Sequence, residues 1–256
     1  MHKNLKKYIN LHIKSLGVKK NNKVLVYSDI SKFGINNKNL PNLILSSLKK
    51  IIGPKGSIVL PFYIFGKEKN LIFEKKKFVF NSQTGILAKL FCKEKKLLRS
   101  KCLIHNHIGI GPSAKVLNLS KENITTGKNS DFEHMKNSNF KLLLLACNPM
   151  QGATYLHHLE TINNVPYRKW ILVKRKVLKN NSVKQVLINV FAKKNNKYVP
   201  DFNNVFKKIK KDTFKIFERK VRYGKSYCIT LEDLDNFGTI LLKKNKYSFV
   251  KKIKNK

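Results

Sequence analysis

The sequence predicts an α/β fold: a mixed central β-sheet flanked by helices, in a single domain over residues 1–250. Three observations predict it. Apolar runs of strand length (KVLVY at 23–27, SIVLP at 57–61, KLLLL at 141–145) alternate with segments of helical spacing. Past Arg168 the pattern changes to two alternating segments, 170–177 and 183–191, that read as antiparallel strands. No linker or internal repeat divides the 256 residues, a length that suits one large domain.

Each element has a local reason. Residues 5–16 have amphipathic helical spacing and stop at Gly17. Strand 23–27 is followed by a polar turn at 28–34, and helix 40–52 ends at Gly53-Pro54, which cannot continue it. Strand 57–61 follows. Residues 67–77 are charged and read as loop, 84–91 as a helix, and 104–110 as a short alternating strand. Ser130-Asp131-Phe132-Glu133 has the form of a capping box opening a short helix. Strand 141–145 leads into a helix that carries His157. Residues 202–217 read as a basic amphipathic helix, 239–250 as strand-like segments, and 251–256 as a basic tail.

Composition narrows the function. The hydrophobic fraction of 42% supports a sizeable core, and no apolar run approaches the roughly 18–20 residues of a membrane span. The basic N-terminus has no apolar signal region, so a cytoplasmic protein is expected. The four cysteines, Cys92, Cys102, Cys147 and Cys228, have no zinc spacing and read as reduced thiols. With 54 basic and 14 acidic residues the net charge is +40. That charge is spread along the chain and is nearly all lysine, whereas base readers favour arginine. Nucleic acid is therefore expected to bind only non-specifically, by charge. A small anionic cofactor is welcome in such a field and a polycation is not.

The chemistry concentrates at 154–168, TYLHHLETINNVPYR. His157 and Glu160 stand three apart on a helix and share a face. An imidazole beside a carboxylate is a general base with an orienting partner. The pattern is not repeated on other helices, as a carboxylate-bridged metal centre would require, so no metal is expected. His158 lies about 100° round the helix and reads as packing.

The segment resembles the T-x-x-H-x-x-E motif, followed by P-Y-R, of the aminoglycoside 3-N-acetyltransferase family. Four further stretches resemble that family in the same order. Gly17-Val18, then Val24 through Gly34, is similar to its opening, with Asp29 in place of the second serine. Gly53-Pro54-Lys55-Gly56-Ser57 is similar to its G-P-x-G-T turn. Residues 81–88 (NSQTGILA) resemble its S-x-x-G-x-L-x-E segment. Arg99-Ser100-Lys101-Cys102-Leu103-Ile104-His105-Asn106 follows its R-S-x-H-P-x-H-S, with Cys102 and Leu103 replacing histidine and proline.

The resemblance implies an acetyltransferase that moves an acetyl group from acetyl-coenzyme A to an amine of an amino sugar or aminocyclitol. It implies His157 as general base, Glu160 as its partner, and His105 as a further catalytic residue. It implies that Ser28, Asp29, Ile30, Ser31, Lys32, Thr84 and Gly85 line the cofactor site. Asp201 and Tyr167 are the expected contacts to the acceptor. The oligomeric state is open, with a homodimer as one option. Two rival readings stand beside this one: a ping-pong transfer through Cys147, and a catalytically idle member of the fold that binds an anionic nucleotide or nucleic acid.

Overall fold

The computed structural model describes residues 2–64, 72–74, 77, 84–210 and 212–253. The chain opens with α1 (His2–Ser15), β1 (Lys23–Ser28), a 3-10 turn at Ile30–Phe33, α2 (Leu40–Ile52) and β2 (Ser57–Pro61). Next come β3 (Ile72–Phe73), α3 (Gly85–Phe91), β4 (Leu98–Arg99), β5 (His107–Ile110), α4 (Asp131–Asn137) and β6 (Lys141–Leu145). Short α5 (Pro149–Gly152) and α6 (Tyr155–Ile162) precede a long hairpin, β7 (Arg168–Lys179) and β8 (Ser182–Lys193). The chain ends with β9 (Tyr198–Pro200), α7 (Phe202–Ile209), β10 (Phe217–Val221), β11 (Gly224–Thr230), α8 (Leu231–Lys244) and β12 (Val250–Lys252).

Seven strands form the central sheet in the order β10-β11-β6-β1-β2-β5-β4. The middle three, β6, β1 and β2, run parallel, and the flanking pairs are antiparallel. Alternation sets the two faces of the sheet. Leu25, Leu142 and Leu144 enter a core built with Phe132, Leu156, Val205 and Leu234. Val24, Val26, Leu143 and Leu145 enter the opposite core, with Ile9, Ile13, Ile44 and Leu87. Burial on both faces explains why these strands read as continuous apolar runs. The carboxyl ends of β1, β2 and β6 share one sheet edge, where open α/β sheets place their ligands.

At that edge the backbone leaves β6 with Ala146 at φ +51°. Its N–H donates to Ser226 Oγ at 2.8 Å, and the same hydroxyl lies 2.8 Å from His12 Nε2. Burial, then the Arg219 charge, pushes the His12 pKa down to about 4, so the ring is neutral and accepts the Ser226 proton. The contact ties α1 to β11 and to the end of β6.

The structure departs from the sequence expectations in four places. The helix expected over 202–217 stops at Ile209, and Phe217 opens β10. Asp212 turns its side chain onto Thr213 N at 2.7 Å, a local bond that competes with helix. Five cross-strand pairs with β11 then hold the segment extended. Residues 239–244, expected as strand, belong to α8, whose N-cap Thr230 accepts from Asp233 N. Apolar residues at 231, 234, 237 and 242 bury a helical face there. The boundary expected at residue 250 falls inside β12, where Lys251 and Lys252 pair with β9. Of the loop expected over 67–77, Ile72 and Phe73 pair with β7, and residues 67–71 and 75–76 lie outside the described residues. The tail residues 254–256 lie outside them too.

Leu143 is fully buried in the middle of β6. Leu143→Ala is expected to lower unfolding free energy by about 2–5 kcal/mol, through lost transfer energy plus a cavity. Urea denaturation of the two proteins measures it.

Candidate active site

A cavity of about 670 Å³ opens at the carboxyl edge of the sheet. Its walls bring together residues far apart in sequence. Tyr27 to Ser31 come from the end of β1 and its turn, Pro61 and Tyr63 from the end of β2, and Thr84 to Leu87 from the start of α3. His105 enters from the bend before β5, Cys147 from the end of β6, Gln151 from α5, and Thr154 and His157 from the start of α6.

His157 sits on a built support. Its Nδ1 is 2.6 Å from Glu160 Oε2, one helical turn further along α6. Glu160 is fully buried, and Tyr167 Oη donates to its Oε1 at 2.9 Å. Arg168 Nε stands 2.7 Å from Oε2, and Arg168 Nη2 stands 2.7 Å from His157 Nδ1. Burial alone would push the Glu160 carboxyl up. The charge and hydrogen bond of His157, the Arg168 guanidinium and the Tyr167 hydroxyl outweigh it and hold the carboxyl below its ordinary value.

Nδ1 has one in-plane direction, so it donates to Glu160 in one tautomer and accepts from Arg168 in the other. The tautomer with its proton on Nδ1 leaves Nε2 as the basic nitrogen.

His105 faces the same cavity. Burial, then the positive fields of His157, His107 and Arg168, push its pKa down to about 3, so it is neutral and a weak base. It packs edge-on against Tyr63, ring centroids 5.2 Å apart. Tyr27 and Tyr63 share a hydroxyl–hydroxyl hydrogen bond, and both interact with the Thr154 hydroxyl. Sequence reasoning missed this trio. Its signal was the alternation of β1, which points Tyr27 to the His157 side of the sheet.

The cofactor candidates gather only in part. Ser28, Asp29, Ile30, Ser31, Thr84 and Gly85 all line the cavity. Gly85 has φ +81°, backbone that favours glycine, and a Cβ there would make ordinary contact with Ser28 O at 3.7 Å. Lys32 lies outside this cavity, on a neighbouring one. Two donors of the turn are engaged: Asp29 N donates to Leu145 O and Lys32 N to Asp29 O. The Asp29 carboxylate accepts from Ser31 Oγ at 2.5 Å. Ser82, in the matched 81–88 stretch, lies outside the described residues.

Both acceptor candidates are placed elsewhere. Tyr167 is buried beneath Glu160 rather than on the cavity wall, because its hydroxyl is the partner the buried carboxylate requires. Asp201 caps α7 by accepting from Asn204 N and does not line the cavity. Its neighbour Phe202 packs on the His157 ring, centroids 5.0 Å apart. Burial and then the Asp29 charge push the Cys147 thiol up to about 12, which opposes a thiolate nucleophile. His158 is buried, accepts from Gly127 N at 3.1 Å, and is pushed down to about 3 by burial and then Lys136. Among the described residues no group of His, Cys, Asp and Glu is placed to hold a metal, and no helix is long and apolar enough to cross a membrane.

The model of the family described as aminoglycoside 3-N-acetyltransferase matches residues 25–243. The chain belongs to the aminoglycoside 3-N-acetyltransferase family. Membership makes it an acyltransferase with acetyl-coenzyme A as donor. Solved structures share the fold. The aminoglycoside acetyltransferase AAC(3)-IIb superposes with a TM-score of 0.81 at 18% identity, covering 94% of this chain and 97% of its own. AAC-IIIb, in a binary complex with coenzyme A, gives 0.80 at 14% identity over 93% and 96%. AAC-VIa bound to sisomicin gives 0.80 at 17% identity over 93% and 97%. No curated protein matches the sequence.

Two outcomes follow for this acetyltransferase. Arg168→Ala strands the Glu160 charge in the interior and is expected to cost about 3–5 kcal/mol, read by thermal and urea unfolding. His105 and His158 both titrate near 3 when folded and near 6.5 when unfolded, so the unfolded chain binds more protons between those values. Unfolding free energy should therefore climb with pH from about 3 to about 6.5. His158→Gln should flatten that climb in a urea series across pH.

Proposed function

We propose that the protein transfers the acetyl group of acetyl-coenzyme A to an amine of an amino sugar or aminocyclitol, with His157 as the general base. The observation that carries the reading is the His157–Glu160 pair on the wall of the 670 Å³ cavity. An imidazole whose Nδ1–H is fixed by a buried carboxylate presents Nε2 as a base of set orientation.

The step balances on these groups. The acceptor nitrogen gives a proton to His157 Nε2 and attacks the thioester carbonyl. The C–N bond forms, the C–S bond breaks, and the imidazolium returns the proton to the coenzyme thiolate. Glu160 stabilises the imidazolium while it exists. Neutral His105 and the Tyr27–Tyr63 hydroxyls are the polar groups near the carbonyl, and they supply donors for the developing oxyanion. Ser28, Ser31, Thr84 and Gly85 line the cavity and would hold the coenzyme. The intact His157–Glu160 pair speaks against an idle nucleotide-binding member.

The acceptor is an amino sugar of low positive charge rather than a polycation. Among the described residues Asp29 is the one carboxylate that lines the cavity, and the chain carries +40 overall. A polycation needs clustered carboxylates in its site, and it is repelled on approach at low salt.

Thiol release from acetyl-coenzyme A, measured across mono-amino sugars and polyamine antibiotics, tests the whole reading. His157→Ala is expected to lower kcat about 10²–10⁴-fold with cofactor binding retained, and Glu160→Gln to lower it less. Near-normal turnover by His157→Ala would remove the base assignment. Efficient turnover of polycations alone would remove the acceptor class.

A further inference from the structure

A second cavity, of about 400 Å³, lies beside the first, and Gln151 borders both. Lys32, Lys207, Lys210 and Lys225 line it, with one carboxylate, Glu218. Glu218 holds Lys210 at 2.8 Å and Lys225 at 2.9 Å, fixing two ammonium groups while offsetting one charge. Burial alone would push the Glu218 carboxyl up, but its two lysine partners hold it below its ordinary value, so it stays ionised. The cavity keeps a net positive charge.

These four lysines are solvent-exposed like those elsewhere on the surface, but this arrangement adds a concave geometry. Its cations come from separate elements and converge on one concavity: Lys32 from the turn after β1, Lys207 and Lys210 from the end of α7, and Lys225 from β11. The backbone fixes their approach. Tyr223 N donates to Lys32 O at 2.9 Å, which joins the turn to the β10–β11 hairpin. Phe206 and Tyr227, ring centroids 5.3 Å apart, add an apolar wall. Cations around an enclosed floor, with Asn148 and Asn203 as neutral donors, suit a compact dianion.

We propose that this second cavity binds a phosphoryl group of a ligand whose reacting end occupies the first. The inference rests on the acetyl-transfer reading, which supplies the ligands. Two sources carry that chemistry: a phosphorylated amine acceptor and the ribose phosphate of the coenzyme. Gln151 borders both cavities, and α7, whose Phe202 packs on His157, supplies Phe206 and Lys207 to the second.

The test is a set of steady-state and binding measurements on wild type, the double variant Lys207→Gln/Lys225→Gln, and Lys208→Gln. Lys208 is exposed on the same helix outside the cavity. Acceptors are glucosamine and glucosamine 6-phosphate, and donors are acetyl-coenzyme A and its 3′-dephospho form. The double variant is expected to raise KM about tenfold or more for one phosphorylated ligand, leaving its dephosphorylated partner unchanged. A loss confined to glucosamine 6-phosphate assigns the group to the acceptor, and one confined to the 3′-phosphorylated donor assigns it to the coenzyme. An equal change across phosphorylated and dephosphorylated ligands, or an equal loss in Lys208→Gln, overturns the proposal. Absence of thiol release with every pair would instead defeat the acetyl-transfer reading. The second cavity is then judged by calorimetric affinity for the same phosphorylated and dephosphorylated ligands, where no difference between wild type and the double variant overturns it.

Discussion

A fully buried carboxylate organises the catalytic end of this molecule. Glu160 has no solvent to stabilise its charge, so its surroundings must do so. Tyr167, Arg168 and His157 do, and each therefore occupies a fixed place. The turn from α6 into β7 has to bring Tyr167 and Arg168 back beneath the helix. Arg168 also donates to Phe191 O at 2.9 Å, which ties the β7–β8 hairpin to the same point. The position of His157 is thus a consequence of satisfying one buried charge.

Much of this was legible in the sequence. The three parallel strands were visible because burial on both faces leaves only apolar residues in them. The His157–Glu160 pair was visible because helical spacing dictates its contact. Tyr167 was misplaced because the P-Y-R motif gives a residue's identity without the direction of its side chain. Whether it faces an acceptor or a buried carboxylate depends on the turn at 163–167. The strands β10 and β11 were hidden for a different reason. Their half-exposed pattern carries little apolar periodicity, and they are held as strands by pairing, β11 with β6 and β10 with β11.

Scarcity of acids shapes the rest. With 14 acidic residues in the chain, the described ones serve mainly as internal fixings. Asp131 holds His107 at 2.8 Å, Asp235 accepts from Tyr155 at 2.6 Å, Asp201 caps α7 and Glu218 clamps two lysines. A family fold is kept by the few carboxylates that buried polar groups require, while the surface takes on lysine. The global charge and the local architecture are therefore nearly independent. The first reflects composition, and the second reflects where desolvation makes a partner obligatory.

Gly152 shows how such a fold sets a distance. A Cβ there would stand 2.8 Å from both Cys147 Sγ and a Leu144 methyl, and 3.0 Å from Tyr27 Cβ. Only a bare backbone lets α5 settle this deeply against β6 and β1. That depth brings Gln151, the residue before it, to the border of both cavities. On the two-cavity proposal, a missing side chain thus sets where the reacting and anchoring ends of one ligand would meet.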